Sequence, residues 1–273
     1  MDNKQISSIT ASILLCAGVA LTQTASAVIV PLSHGGSTVT VDVDSAAGMN
    51  SWFVDNAPSQ NHLNNQWFYY RIGNGLAMPI NTISAAVVNN PDSQTLEAVY
   101  ANAQFSLTVS YVLTGGGTGT GNADIREAIN VLNTSGAPLN FHLFQYSDFN
   151  LLGTPGGDSV VIGNAFDSVI QWDGATGIAE TAAQPPANRA EAALAFTTLN
   201  NLNTIPGYDL NNNIGPLSGD VTWSFQWDSV IGSGLSLDVF KDKQMAITPV
   251  PEPTAISMLA VALGAAGFLR RRR

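Results

Sequence analysis

The chain has 273 residues, 45% of them hydrophobic and only 11% charged, with a formal net charge of −10. Four of its ten basic residues are the terminal Arg270 to Arg273, so the stretch from Val28 to Val250 keeps five basic residues against eighteen acidic ones. A surface that acidic repels phosphate backbones and anionic headgroups, which excludes nucleic acid as a partner.

The first thirty residues read MDNKQISSITASILLCAGVALTQTASAVIV. Lys4 precedes an apolar run from about Ile9 to Leu21, and Ala25-Ser26-Ala27 supplies small residues where a signal peptidase cuts. This is the pattern of a secretory signal peptide over residues 1–27, with Ala25 and Ala27 as the recognition positions. The run is short for a permanent membrane span. The one cysteine, Cys16, follows Ile13-Leu14-Leu15 rather than a small residue, which argues against lipid attachment. A mature chain beginning after it has no disulfide and depends on a sizeable core.

From residue 28 to about 248 the sequence alternates as half-buried strands do. STVTVDVD (37–44) sets Val39, Val41 and Val43 against Thr38, Thr40 and Asp42. QFSLTVSYVL (104–113) sets Phe105, Leu107, Val109 and Tyr111 against Ser106, Thr108 and Ser110. TGGGTGTGNA then turns the chain into DIREAINVLN (124–133), where Glu127 shares a face with Ile125, Ile129 and Val131. A carboxyl on an apolar face is a candidate general acid, and the plainer reading is a strand-end Glu reaching solvent. Further runs cover 138–150, 158–163, 167–173, 220–230, 235–240 and 244–248. About a dozen strands separated by Gly, Asn, Asp and Pro clusters predict an all-β, antiparallel β-sandwich over 28–248. PPANRAEAALAFTTLNNL opens on proline and is alanine-rich, which predicts one short helical insertion from about Ala187 to Leu199.

Chemical motifs are sparse. GDSV (157–160) looks like an esterase nucleophile block, but His34, His62 and His142 all precede it, and Gly-Asp-Ser is ordinary turn chemistry. The three histidines lack metal-ligand spacing. In DLNNNIGPLSGD, Asp209, Asn211, Asn213 and Asp220 fall at positions 1, 3, 5 and 12 of a calcium-loop register, although Ile214 stands where that loop needs glycine. Trp223, Phe225 and Trp227 occupy one strand face: a sugar-stacking platform if exposed, sandwich core if buried. The opposite face of Thr222, Ser224, Gln226 and Asp228 reads as solvated, which favours the core. No cofactor is expected, and no catalytic residue.

The chain ends PVPEPTAISMLAVALGAAGFLRRRR. Residues 255–269 are uncharged and predict a membrane helix spanning roughly 22 Å at ~1.5 Å per residue, short of the ~30 Å hydrocarbon core. The arginines favour the cytoplasmic side, which agrees in sidedness with the N-terminal leader. Two prolines just outside the membrane make a stiff, non-helical tether.

Pro251, Glu252 and Pro253, the apolar helix and Arg270, Arg271, Arg272 and Arg273 together resemble the tripartite PEP-CTERM sorting signal, here residues 249–273. The resemblance implies an exosortase-type protease as partner, transient residence in the inner membrane, and a destination in the envelope or an extracellular polysaccharide or biofilm matrix. WFYYRIG, FQYSDFNL and GDVTWSFQWD are loosely similar to ectodomains of other PEP-CTERM proteins. The expectation is a non-enzymatic, secreted surface or matrix protein, with a carbohydrate-binding module as the alternative and a glycan hydrolase third.

Overall fold

The computed structural model describes residues 28–55, 59–174 and 176–247, without the side chains of 176 and 179–183. The leader, with Ala25 and Ala27, and the tail from residue 248 onwards lie outside the described residues. Among the described residues no helix is long and apolar enough to cross a membrane.

The chain lays down β1 (Ile29–His34), β2 (Ser37–Asp42), β3 (Gly48–Val54), β4 (Leu63–Ile72) and the short β5 (Met78–Pro79) in a first sheet. It crosses to a second sheet for β6 (Val87–Asn89), β7 (Thr95–Ala101), β8 (Phe105–Gly115) and β9 (Asn122–Asn133). β10 (Leu139–Phe149) returns to the first, and β11 (Asp158–Ile162), β12 (Ser168–Asp173) and β13 (Thr176–Gln184) extend the second. Single strands then alternate: β14 (Arg189–Leu194) in the first sheet, β15 (Leu217–Gly219) in the second, β16 (Val221–Ile231) in the first, β17 (Ser236–Ile247) in the second. Helix α1 (Thr197–Thr204) lies between β14 and β15.

The eight-stranded sheet runs β1-β2-β3-β4-β10-β16-β14, with β5 on β4, and the nine-stranded sheet runs β15-β11-β12-β13-β17-β9-β8-β7-β6. Pairing is antiparallel except where β3 meets β4. The expected antiparallel sandwich is the observed one. At one end the sheets touch backbone to backbone. Gly35 has φ +54, and a Cβ on Gly115 would sit 1.9 Å from the His34 carbonyl oxygen, so the β1–β2 turn and the β8–β9 connection need glycine there.

The inner faces share one buried cluster. Trp223, Phe225 and Trp227 belong to it, and Phe149 stacks on Trp223 with ring centroids 6.1 Å apart. The row is core, as its alternation implies. The opposite face of β16 corrects the sequence reading, since Thr222, Ser224 and Gln226 are buried rather than solvated. The segment from Ala195 to Asn213 lies over them: Thr222 Oγ1 donates to Ala195 O at 3.1 Å, and Leu210 N donates to Gln226 Oε1 at 2.9 Å.

Two element boundaries also differ. The alanine-rich stretch is a strand before it is a helix, because Ala190 and Ala192 face the core while Arg189 and Glu191 face outward, in register with β16. Pairing to a central strand overrides helix propensity there. The runs 235–240 and 244–248 fuse into β17 because Lys241 and Lys243, which read as a break, point inward with Val239 and Met245.

Phe225→Ala is expected to cost about 3–5 kcal/mol in urea denaturation, while Phe240→Ala, half exposed on β17, stays within about 0.5 kcal/mol of wild type.

Candidate functional site

The outer face of the first sheet gathers charge that the sequence scatters. Arg71 comes from the end of β4, His142 from β10, Glu191 and Arg189 from β14, Gln226 and Asp228 from β16 and Asp209 from the covering segment. The antiparallel register sets Arg71 beside His142 and His142 beside Asp228, so three distant stretches form one row across the sheet. Arg71 donates to Asp209 Oδ1 at 2.8 Å and to the Tyr208 carbonyl oxygen. Gln226 Nε2 donates to Asp209 and to Asp228, both at 2.8 Å, and His142 Nδ1 to Asp228 Oδ1 at 2.5 Å. Arg189 approaches Asp209 at 3.6 Å and Asp228 at 4.0 Å.

The electrostatics follow from these contacts. Burial pushes the Asp209 carboxyl up, but hydrogen bonds from Arg71 and Gln226 and the charges of Arg71 and Arg189 hold it below the usual range. Asp228 is likewise raised by burial and lowered further by His142 and Gln226. Both stay ionised at neutral pH. Ligand atoms of His142, Asp209 and Asp228 lie within 4.8 Å of one another, close enough in principle to hold a cation. Two arginines already supply positive charge there, which disfavours one.

Glu191 pins the cover. It accepts from Thr198 Oγ1 at 2.8 Å, Tyr208 Oη at 2.6 Å and Asn211 N at 3.1 Å. Of the calcium-loop residues, Asp209 joins the network above. Asn211 Oδ1 accepts from Asn213 N, and Asn213 donates to Ala192 O at 2.7 Å. Asp220 lies where β15 gives way to β16, its carbonyl accepting from Ala195 N. Asp209, Asn211 and Asn213 thus use their side chains within the protein. In GDSV only Gly157 lies in the turn, since Asp158 opens β11; there Ser159 pairs with Ser218 at 2.8 Å, and the Asp158 carboxylate accepts from Gln171 at 2.7 Å.

A second charged cluster lies inside the sandwich. Glu127 is neither at a strand end nor solvated: its side chain is fully buried and accepts from Lys241 and from Lys243, the latter at 2.6 Å. Burial pushes its carboxyl up, and the two ammonium groups more than reverse this, holding it well below the usual range. Lys241 also donates to Gln145 Oε1 of the opposite sheet.

On the outer face of the second sheet, burial and the neighbouring Asp242 charge push Asp124 up to about 6. It borders a cavity of about 300 Å³ lined by Thr114, Asn122 and Gln244.

Sequence reasoning singled out Asp209 and Glu127, set His142 aside for want of ligand spacing and Asp228 as solvated, and missed Arg71, Glu191 and the two lysines as site residues. A signal existed: Arg71, His142, Glu191, Lys241 and Lys243 each interrupt an apolar or aromatic strand pattern.

Two comparisons place the chain. Residues 249–273 match the PEP-CTERM protein-sorting motif, so the tail is a sorting signal of the kind that marks a chain for export to the envelope or beyond with exosortase processing. The sandwich shares its fold with solved sugar-handling proteins. Against a bacterial glucoamylase complexed with acarbose, the TM-score is 0.58 at 7% identity, over 88% of this chain and 36% of that one, so the chain spans little more than a third of that enzyme. Against a putative aldose 1-epimerase from Escherichia coli K12 it is 0.56 at 10% identity, over 81% and 99%. Against a galactose mutarotase-like protein from Lactobacillus casei it is 0.54 at 9%, over 80% and 99%. No curated protein matches in sequence. At these identities the likeness concerns the fold alone.

Glu191→Ala leaves three donors of the cover unsatisfied and is expected to cost about 1–3 kcal/mol, with faster amide exchange in residues 197–214 than in β4 and β10. Asp124 gives a pH signature. Its folded pKa of about 6 lies above the unfolded value of 3.8, so its favourable contribution is full below pH 3.8 and lost as pH rises through 6. Asp124→Asn is therefore expected to raise the Tm relative to wild type at pH 7.5, with the difference vanishing by about pH 3.5.

Proposed function

We propose that this chain is an exported, non-enzymatic cell-surface or matrix protein whose sandwich, residues 28–248, is delivered to an extracellular polysaccharide layer and processed near Pro251–Pro253. The observation that carries the reading is the sorting motif at 249–273. The outer-face site supports the non-enzymatic part. A glycan-hydrolysing pair needs one carboxyl raised to serve as acid and one ionised partner. Asp209 and Asp228 are both lowered, so neither of this pair is the raised acid that such a reaction needs.

Carbohydrate binding is the second reading, on a different surface from the tryptophan row, which is buried. Arg189, Asp209 and Asp228 are each about a third exposed and present a guanidinium between two carboxylates. Such a group can bridge vicinal hydroxyls of a sugar.

Intact-mass analysis of medium and envelope fractions is expected to find chains lacking residues 1–27 and the arginine-terminated tail. A mature pool retaining Arg270 to Arg273 would contradict the sorting reading. Polarimetry with fresh α-glucose or α-galactose is expected to show no acceleration of mutarotation; clear acceleration abolished by Asp228→Asn would make the protein an enzyme. Arg189→Ala is expected to weaken retention on the host's own exopolysaccharide several-fold if the second reading holds.

A further inference from the structure

We propose that Lys241, Gln145 and Glu127 form a self-processing centre in which an intramolecular isopeptide bond between Lys241 Nζ and Gln145 Cδ joins the two sheets. The inference stands on placement. Lys241 lies at the middle of β17, paired in register with Glu127 of β9, and Gln145 lies at the middle of β10 in the facing sheet. Lys241 Nζ donates at once to Gln145 Oε1 and to Glu127 Oε2. The side chains of Lys241 and Glu127 are wholly buried, and Gln145 is fully buried as well. An amine, a carboxamide and a carboxylate are thereby held in contact away from solvent. Fixed proximity of this kind is worth effective concentrations of roughly 10⁵ M or more.

The neighbours prepare each partner. Gln145 Nε2 donates to Ser147 Oγ at 2.9 Å, which fixes the amide with its oxygen towards the lysine. Phe68 walls the site, its ring centroid 4.9 Å from Lys241 Nζ. Lys243 Nζ, 2.6 Å from Glu127 Oε2, helps hold the carboxyl well below its usual range, so Glu127 holds a proton only in passing, as a relay between the Lys241 ammonium and the leaving nitrogen. Glu127 Oε1 is buried without a hydrogen-bond partner, a free acceptor beside the amine.

In the step, Glu127 takes a proton from the Lys241 ammonium, and the freed Nζ lone pair forms a bond to Gln145 Cδ. The carbonyl electrons move to Oε1 and return as the Cδ–Nε2 bond breaks. Nε2 leaves with the proton carried by Glu127 and a second one from Nζ, which with its own two hydrogens makes it ammonium. Glu127 ends as the carboxylate it began. The chain loses NH₃ and the interior loses one cation, which relieves the cost of keeping an ammonium out of water. No other reagent is consumed. The product is a covalent tie across the sandwich that needs no cysteine, in a chain whose one cysteine, Cys16, lies in the leader-like segment.

Mass spectrometry of the purified full-length chain tests this. The folded wild-type protein is expected to weigh 17 Da less than its residues require, and a protease digest to yield a branched peptide linking the Gln145 and Lys241 segments. Lys241→Arg and Glu127→Gln are expected to restore the full mass, with the Tm of Lys241→Arg lower by roughly 10 °C. Full mass in wild type, with linear peptides carrying free Lys241 and Gln145, overturns the proposal, and that measurement depends on no variant folding. So does a 17 Da loss that maps to an asparagine imide elsewhere. Crosslinking that persists in folded Glu127→Gln overturns the role given to Glu127.

Discussion

Burial of both faces of the first sheet's central strands governs most of this structure. A sheet in a two-layer sandwich normally shows one face to water, and its strands then alternate apolar and polar residues. β10 and β16 cannot be solvated in that way, because residues 195–213 lie over the face pointing away from the second sheet. Each polar side chain on that face therefore needs a partner from protein. Arg71, with side-chain exposure of only 2%, finds Asp209 and the Tyr208 carbonyl, and Glu191 finds three donors in the covering segment. The cover buries Leu202 and Leu210 in the core cluster, and its charge-assisted hydrogen bonds to fixed strands set its position.

The same logic applies inside the sandwich. A carboxylate and two ammonium groups between two sheets are costly to desolvate, and hydrophobic replacements of similar volume often serve stability equally well. What the cluster adds is register. A one-residue slip of β17 against β9 would turn Lys241 and Lys243 to the outside and drive Phe240 and Asp242 into the core. Glu127, left among Ile125, Ile129 and Tyr111, would then be a buried charge without these partners. The cluster thus selects one alignment of the second sheet's middle strands, and through Gln145 ties that alignment to the first sheet.

Much of this architecture was legible in the sequence, and the failures share a cause. Alternation located β2, β8, β9, β10 and β16, and correctly buried the Trp223–Trp227 row, because one-face burial writes a period of two. It failed where both faces are buried or where a buried position is charged. Thr222, Ser224 and Gln226 read as solvent-facing because polarity was the available cue, and the cover that encloses them comes from residues some 10 to 30 positions earlier in the chain. Lys241 and Lys243 read as a break because their partners Glu127 and Gln145 are about a hundred residues away. Ala190–Ala193 read as helix because alanine favours it locally, while pairing to β16 decides otherwise. Of the outer-face site, Asp209 was noticed for the wrong neighbours; Arg71 and Asp228, its real surroundings, are brought in by sheet register alone.

The fold is shared with sugar-handling proteins at 7–10% identity, so backbone geometry passes on little chemistry by itself. What an outer face of this kind can do depends on how its charges are balanced. A carboxyl that must donate a proton needs burial without a cation, and one that must only bind needs the reverse. Here Asp209 and Asp228 face guanidinium, imidazole and amide donors, and both are lowered. Of the carboxyl groups raised by burial, Asp124 and Asp158 sit in the second sheet, while Asp148 lies on β10 of the first and accepts from Asn64. The charge balance of the outer face is thus a property of this sandwich's own residues, separate from the sorting motif at 249–273 that follows its last strand.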